Sequence, residues 1–216
     1  MGKVKNWFAV ILILSVYPAF ATAEQIMLFS DDFNNEAGSN VLNYNSFANW
    51  DVYDGAVDII ANGGYGISCA GGIGKCIDLD GTVYDSGRLI TKQNFNLLPG
   101  VYTLSFTVSG NQRGNMTRWS SDTLTVSLGN VYSETFTKTA TDPFEVVSRT
   151  FTVSNASTGH IVFENAGGDD VGIILDNVRL NADIPASTPE PATIALLGMG
   201  VIGLALMRKK SYNRFV

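Results

Sequence analysis

Along most of the chain the apolar positions recur at every second residue, the period of a half-buried β-strand and not that of a helix. Tyr102, Leu104, Phe106 and Val108 alternate with Thr103, Ser105, Thr107 and Ser109, and Leu124, Val126 and Leu128 alternate with Thr123, Thr125 and Ser127. Val147, Phe151 and Val153 alternate with Ser148, Thr150 and Thr152, with Arg149 intruding on the apolar face. Such β-branched and aromatic residues suit a pleated surface. Ile26 to Ser30, Cys76 to Leu79, Leu89 to Phe95, Val131 to Phe136, His160 to Glu164 and Gly172 to Leu180 read as further strands. Trp50 to Tyr53 and Ala56 to Ile59 flank Asp54-Gly55, whose tolerance of positive φ predicts a two-residue hairpin. About ten short strands between Gly, Asn, Asp and Ser turns predict an all-β domain over residues 24–183, an antiparallel two-sheet sandwich of jelly-roll type.

The two ends have a different pattern. Lys3 and Lys5, the apolar run Phe8 to Val16 and the small-residue site Ala21-Thr22-Ala23 read as a secretory signal peptide over residues 1–23, cleaved after Ala23. At the other end Ile184 to Pro191 is a stiff polar linker. It leads into the 16 uncharged residues Ala192 to Met207 and a basic tail over 208–216 holding Arg208, Lys209, Lys210 and Arg214. Sixteen helical residues reach about 24 Å, a little short of a hydrocarbon core of about 30 Å, so the flanking charges must complete a transmembrane span. The basic cluster belongs on the cytoplasmic side, which leaves the sandwich outside.

Charge sharpens this division. The 216 residues carry a net charge of -6, yet between Glu24 and Pro191 eight basic residues face 20 acids, a balance of -12. Nucleic-acid binding needs clustered Lys and Arg and is excluded as a role for this surface. Apolar residues make up 45% and charged residues only 16%, enough hydrophobicity for a core and too little charge for a disordered chain.

Pro189-Glu190-Pro191, the apolar segment opening Thr193-Ile194-Ala195-Leu196-Leu197-Gly198, and Arg208-Lys209-Lys210 resemble the PEP-CTERM protein-sorting signal. The resemblance implies a substrate of exosortase, a membrane protease-transpeptidase that cuts near the Pro-Glu-Pro motif in bacteria with a Gram-negative envelope and an exopolysaccharide. By that resemblance the precursor meets signal peptidase, is held transiently in the inner membrane, and ends at the cell surface or outside the cell. Phe47 to Ile60, Leu98-Pro99-Gly100 with Val101 to Phe106, and the closing Ile173 to Leu180 also resemble galactose-binding-domain-like modules of exported bacterial proteins.

Candidate chemistry is sparse. Cys69 and Cys76 bracket a glycine-rich excursion and, in an exported chain, predict a disulfide. The P-loop spacing fails, because Cys69 stands where the first glycine belongs and Cys76 follows Gly74-Lys75. By alternation Asp176 shares a face with Ile174, Val178 and Leu180, where a carboxylate needs a partner or a cation. Galactose-binding-like modules often hold a structural calcium between first and last strands, and a pairing of Asp32 with Asp176 resembles that arrangement. Hydrogen bonds from backbone amides, or a pair with Arg149, are the alternatives. Asp169-Asp170 reads as a solvated turn.

Arg113, Arg118 and Trp119 lie in the polar loop Gly110 to Ser121, where an indole beside Arg donors suits a sugar ring, although Trp119 could equally fold back on the core. Tyr53, Tyr65 and Tyr84 are further loop aromatics. His160, the only histidine, opens an apparent strand, and no hydrolase elbow, zinc helix or dinucleotide fingerprint accompanies it. The sequence therefore points to a non-enzymatic, exported protein that adheres to or organises a polysaccharide matrix. A carbohydrate-binding module with a defined glycan site and a polysaccharide-degrading enzyme are the rival readings.

Overall fold

The computed structural model describes residues 24–83, 85–114, 120–184 and 198–203. The signal-peptide residues Ala21 and Ala23, the motif residues Pro189, Glu190, Pro191, Arg208, Lys209 and Lys210, and Tyr84, Arg118 and Trp119 lie outside them. Residues 24–184 form one compact unit.

Among its described residues thirteen strands build it: β1 (Glu24–Asp31), β2 (Trp50–Tyr53), β3 (Asp58–Ala61), β4 (Lys75–Asp78), β5 (Arg88–Thr91), β6 (Phe95–Leu97), β7 (Gly100–Ser109), β8 (Ser121–Leu128), β9 (Tyr132–Thr139), β10 (Glu145–Val153), β11 (Ser157–Gly159), β12 (Ile161–Ala166) and β13 (Ile174–Ile184). One sheet has the order β10-β7-β13-β4-β3 with β1 also paired to β13, the other the order β2-β5-β12-β8-β9, and β11-β6 is a small separate pair. The ladders between these strands are antiparallel. The fold is the expected all-β two-sheet sandwich.

The period-two pattern has its physical meaning in the core. Leu104, Phe106 and Val108 of β7 meet Leu124, Val126 and Leu128 of β8 between the sheets, all fully buried. Trp50 sits among Phe29, Phe33 and Phe163 at ring-centroid distances of 5.4, 5.9 and 5.8 Å. Its indole Nε1 donates to Asp31 Oδ2 at 2.9 Å, so the buried polar edge is satisfied.

Three local expectations are corrected. Asp54 and Gly55 do take positive φ, 53° and 131°, but they do not close a hairpin. β2 pairs with β5 in one sheet and β3 with β4 in the other, so the turn carries the chain across the sandwich. A Cβ on Gly55 would lie 2.5 Å from the carbonyl oxygens of Asp85 and Ser86, which reserves the position for glycine. The stretch Leu89 to Phe95 is divided between β5 and β6, which belong to different ladders.

The third correction concerns the last strand. Asn177 has φ 51°, and the register of β13 against β7 slips between Asp176 and Arg179. This bulge resets the alternation. Ile173, Leu175, Val178 and Leu180 face the main core, whereas Ile174 faces a second small cluster with Ile60, Ile67, Cys69 and Cys76. Asp176, two residues beyond Ile174 and before the bulge, therefore lies on the side of the cysteine loop and not with Val178 and Leu180.

Both ends of the unit meet at one rim, where Glu24 pairs with Ile184. Ile174, at the other end of β13, pairs with Ser109 of β7 and Asp78 of β4.

Candidate functional site

At that second rim the loops after β3, β7 and β9 and before β13 converge. Cys69 and Cys76 form the predicted disulfide, with Cα atoms 5.4 Å apart. Together with Ile67 it pins the 62–74 loop to β4 over the outer face of β3, β4 and β13. Asn62 braces the loop from within, donating to the Gly72 carbonyl at 2.7 Å and accepting the Cys69 amide at 3.0 Å. Tyr65 projects from it with half of its surface exposed and a left-handed backbone, φ 50°.

The loop after β7 reaches across to this excursion. Gln112, at φ 61°, accepts the Ser68 amide on Oε1 at 3.0 Å and donates through Nε2 to the Ser68 carbonyl at 2.9 Å. The next residue, Arg113, donates from guanidinium Nη1 to the Tyr65 carbonyl at 2.7 Å, while its buried Nε has no hydrogen-bond partner among the described residues. Arg113 and Tyr65 thereby frame a cavity of about 330 Å³ lined also by Leu42, Asp58, Ile60, Thr82, Asp170 and Val171.

Carboxylates organise this rim, Asp58 and Asp170 in the cavity lining and Asp78 and Asp80 beside it. Asp58 accepts the Asn43 amide at 2.7 Å and the Thr82 hydroxyl at 2.8 Å, and burial pushes its carboxyl above the usual range. Asp78 accepts the amides of Asp80 and Gly172 at 3.2 and 2.7 Å, and complete burial holds it well above that range. Asp80 Oδ2 accepts the amides of Gly168 and Asp169 at 2.6 and 3.0 Å. The Asp169-Asp170 segment is accordingly half-buried and pinned by Asp80, not a freely solvated turn. Asp58, Asp78 and Asp80 escaped the sequence reading, although the Asp78-Leu79-Asp80-Gly81 spacing, with its turn-forming carboxylates, was the available signal.

Asp176 is 3% exposed and accepts the Ala70 amide on Oδ2 at 3.1 Å, the backbone-amide alternative. Burial first, and the charge of Asp32 in a lesser part, push its carboxyl up to about 6. Arg149 is engaged elsewhere, with Glu134. Asp32 is exposed and accepts the Asn34 amide at 3.1 Å. Two hard carboxylates within electrostatic reach of one another suit calcium in kind, but calcium takes six to eight oxygens. Among the described residues no group of three or more His, Cys, Asp or Glu is placed to hold a metal. Backbone carbonyls would have to supply most of such a shell.

Of the proposed glycan residues only Arg113 is among the described residues, and its aromatic neighbour there is Tyr65. Tyr53 is exposed at the tip of β2, away from this cavity's lining. His160 lies between β11 and β12 instead of opening a strand, and its Nδ1 sits 2.6 Å from the Thr91 carbonyl, a contact that joins β12 to β5.

Comparison with known proteins follows the same division between tail and sandwich. No curated protein matches the chain. The sandwich is similar to the CBM22-1 and GH10 modules of Clostridium thermocellum endo-1,4-β-D-xylanase 10B in complex with xylohexaose, at 16% identity and TM-score 0.47, covering 73% of this chain and 28% of that one. The K3 cleaved adhesin domain of Lys-gingipain from Porphyromonas gingivalis matches at 19% identity and TM-score 0.43 over 72% of this chain and 99% of that one. The CBM22-1 xylan-binding domain of a Paenibacillus barcinonensis protein matches at 12% identity and TM-score 0.40 over 77% and 100%. Among the described residues no helix is long and apolar enough to cross a membrane, the helical stretch 198–203 being six residues long. Residues 187–210 match the PEP-CTERM protein-sorting motif, and the chain is therefore an exported, sorted surface protein.

Proposed function

We propose that the sandwich binds polysaccharide of the extracellular matrix through the Arg113–Tyr65 cavity and so adheres to, or organises, that matrix after exosortase has released it. The observation that supports this most is that Arg113, bonded to the backbone carbonyl of Tyr65 across 48 residues of sequence, lines one cavity together with that half-exposed tyrosine. An aromatic face covers the apolar side of a sugar ring, while guanidinium donors and carboxylate acceptors meet its hydroxyls. The floor is held by buried Asp58 and its bonds to Asn43 and Thr82, so the cavity is preformed.

Glycan-array binding by the full chain tests this. Tyr65→Ala and Arg113→Ala each reduce binding at least about tenfold, equal to 1.4 kcal/mol, while leaving the melting temperature within about 2 °C. Undiminished binding by both variants rules the cavity out as the glycan site, and turnover of a polysaccharide by the purified protein favours the enzyme reading instead. Sorting has a separate test: replacing Pro189-Glu190-Pro191 by alanines traps full-length protein in the membrane fraction, and normal release of that variant removes exosortase as a partner.

A further inference from the structure

We infer that the ligand of the Arg113–Tyr65 site is an extended oligosaccharide, whose chain crosses the 110–114 loop and seats a second segment in a neighbouring cavity between Ser68 and Phe144. The inference rests on the glycan reading of the first cavity. The second cavity, of about 420 Å³, is lined by Ser68, Ser109, Gln112, Thr141, Pro143 and Phe144 among others.

Neighbouring residues of the same two loops line both cavities. Arg113 lines the first and Gln112 the second, and these residues are consecutive. Tyr65 lines the first and Ser68 the second, three positions apart on the segment that leads into the disulfide at Cys69. The partition between them is fixed, because Gln112 exchanges two hydrogen bonds with Ser68, and Arg113 adds one to Tyr65. A second bond from Gln112 Nε2, to Ser109 Oγ at 3.2 Å, ties the partition back to β7.

Strain and chemistry agree with this arrangement. Tyr65 and Gln112, one on each side of the partition, are both non-glycine residues in the left-handed region, a costly conformation that concentrates at binding sites. In the second cavity the exposed ring of Pro143 and the half-buried ring of Phe144 provide an apolar wall beside the exposed hydroxyl-bearing Thr141. That pairing matches a sugar ring, whose C–H face and hydroxyl rim lie side by side. A ligand that ends within the first cavity leaves this wall unused, whereas a chain continuing over Gln112 covers it.

Partial hydrolysis of the host's own exopolysaccharide supplies disaccharide and hexasaccharide fractions, to be titrated against the full chain in detergent micelles. The hexasaccharide binds at least about tenfold more tightly than the disaccharide. Thr141→Trp, a substitution at an exposed position that fills the second cavity, abolishes this gain and leaves disaccharide affinity unchanged; Phe144→Ala does the same if it folds, while Tyr65→Ala weakens both ligands. Equal affinities for the two fractions, or a length gain that persists in Thr141→Trp, overturn the inference while the Tyr65-dependent reading stands. Binding of neither fraction overturns both, and capture of a protein segment at the second cavity with no length effect overturns the inference alone.

Discussion

Arg149 of β10 grips Glu134 of β9 across the open edge of the sandwich, with Nε at 2.7 Å from Oε2 and a second guanidinium nitrogen at 2.9 Å from Oε1. The intruder on the apolar face of β10 is thus a clasp between the two sheets, and its guanidinium also lies over the Phe136 ring at 5.5 Å. The Arg149 hydrogen bonds hold the Glu134 carboxyl below its usual range. Both side chains are more than a third exposed, so solvent discounts the pair. Arg149→Ala costs about 1 kcal/mol from ion pair and ring contact together. A double-mutant cycle with Glu134→Ala gives a coupling of about 0.5 kcal/mol; zero coupling shows that the clasp contributes nothing.

The disulfide can be read by its loss. Cys69 and Cys76 are 1% and 0% exposed, inside the cluster with Ile60, Ile67 and Ile174. Closure of a loop this short contributes about 2.5 kcal/mol, so Cys69→Ala with Cys76→Ala lowers chemical-denaturation stability by about that amount. In the native protein the bond resists reductant until the loop opens, as thiol labelling with time will report. Rapid labelling without denaturant contradicts the buried packing.

The buried carboxyl of Asp122 at the second rim predicts greater stability in mild acid. Asp122 of β8 is raised to about 6, by burial first and then by the charges of Asp169 and Asp80, against a hydrogen bond from Asn111. Lys138 lies opposite on β9 and is paired with Glu145. A carboxyl that holds its proton more tightly folded than unfolded contributes stability in acid, and loses it as the pH rises from about 4 through about 6. Melting curves in chelator therefore show a higher Tm at pH 5 than at pH 7. Asp122→Asn flattens part of that dependence, and an unchanged slope in the variant assigns the effect elsewhere.

Calcium tests the Asp32–Asp176 pair. A calcium site with only two side-chain carboxylates would be weak, in the range of about 0.1 to 1 mM typical of extracellular modules. Several millimolar calcium, added after chelator treatment, raises the melting temperature of the wild type and leaves Asp32→Asn unmoved. A wild-type protein indifferent to calcium eliminates the ion.

The faces of β7 and β8 were legible because one sheet surface is fully buried and the other, over most of its length, only partly so, which writes alternation directly into Tyr102–Val108 and Leu124–Leu128. Where sequence misled, the cause was always a partner chosen by tertiary structure. Asp54-Gly55 advertised its backbone angles correctly, yet nothing local says whether the following strand pairs back or crosses to the other sheet. A single left-handed Asn177 reversed the facing of Asp176, since one inserted residue exchanges the two faces of a strand. Arg113 was singled out from its loop, but Tyr65 could not be matched to it, because only the folded 62–74 loop, 48 residues upstream, brings the Tyr65 carbonyl to the guanidinium.

Because Glu24 and Ile184 leave the sandwich as ladder partners, whatever is joined to the end of β13 pulls on the molecule at a single corner. The cavities stand at the opposite end of that eleven-residue strand, about 35 Å off. Load applied between an anchored terminus and a captured glycan would run lengthwise along β13, whose neighbours β1, β4 and β7 resist as sheared ladders and do not peel apart rung by rung.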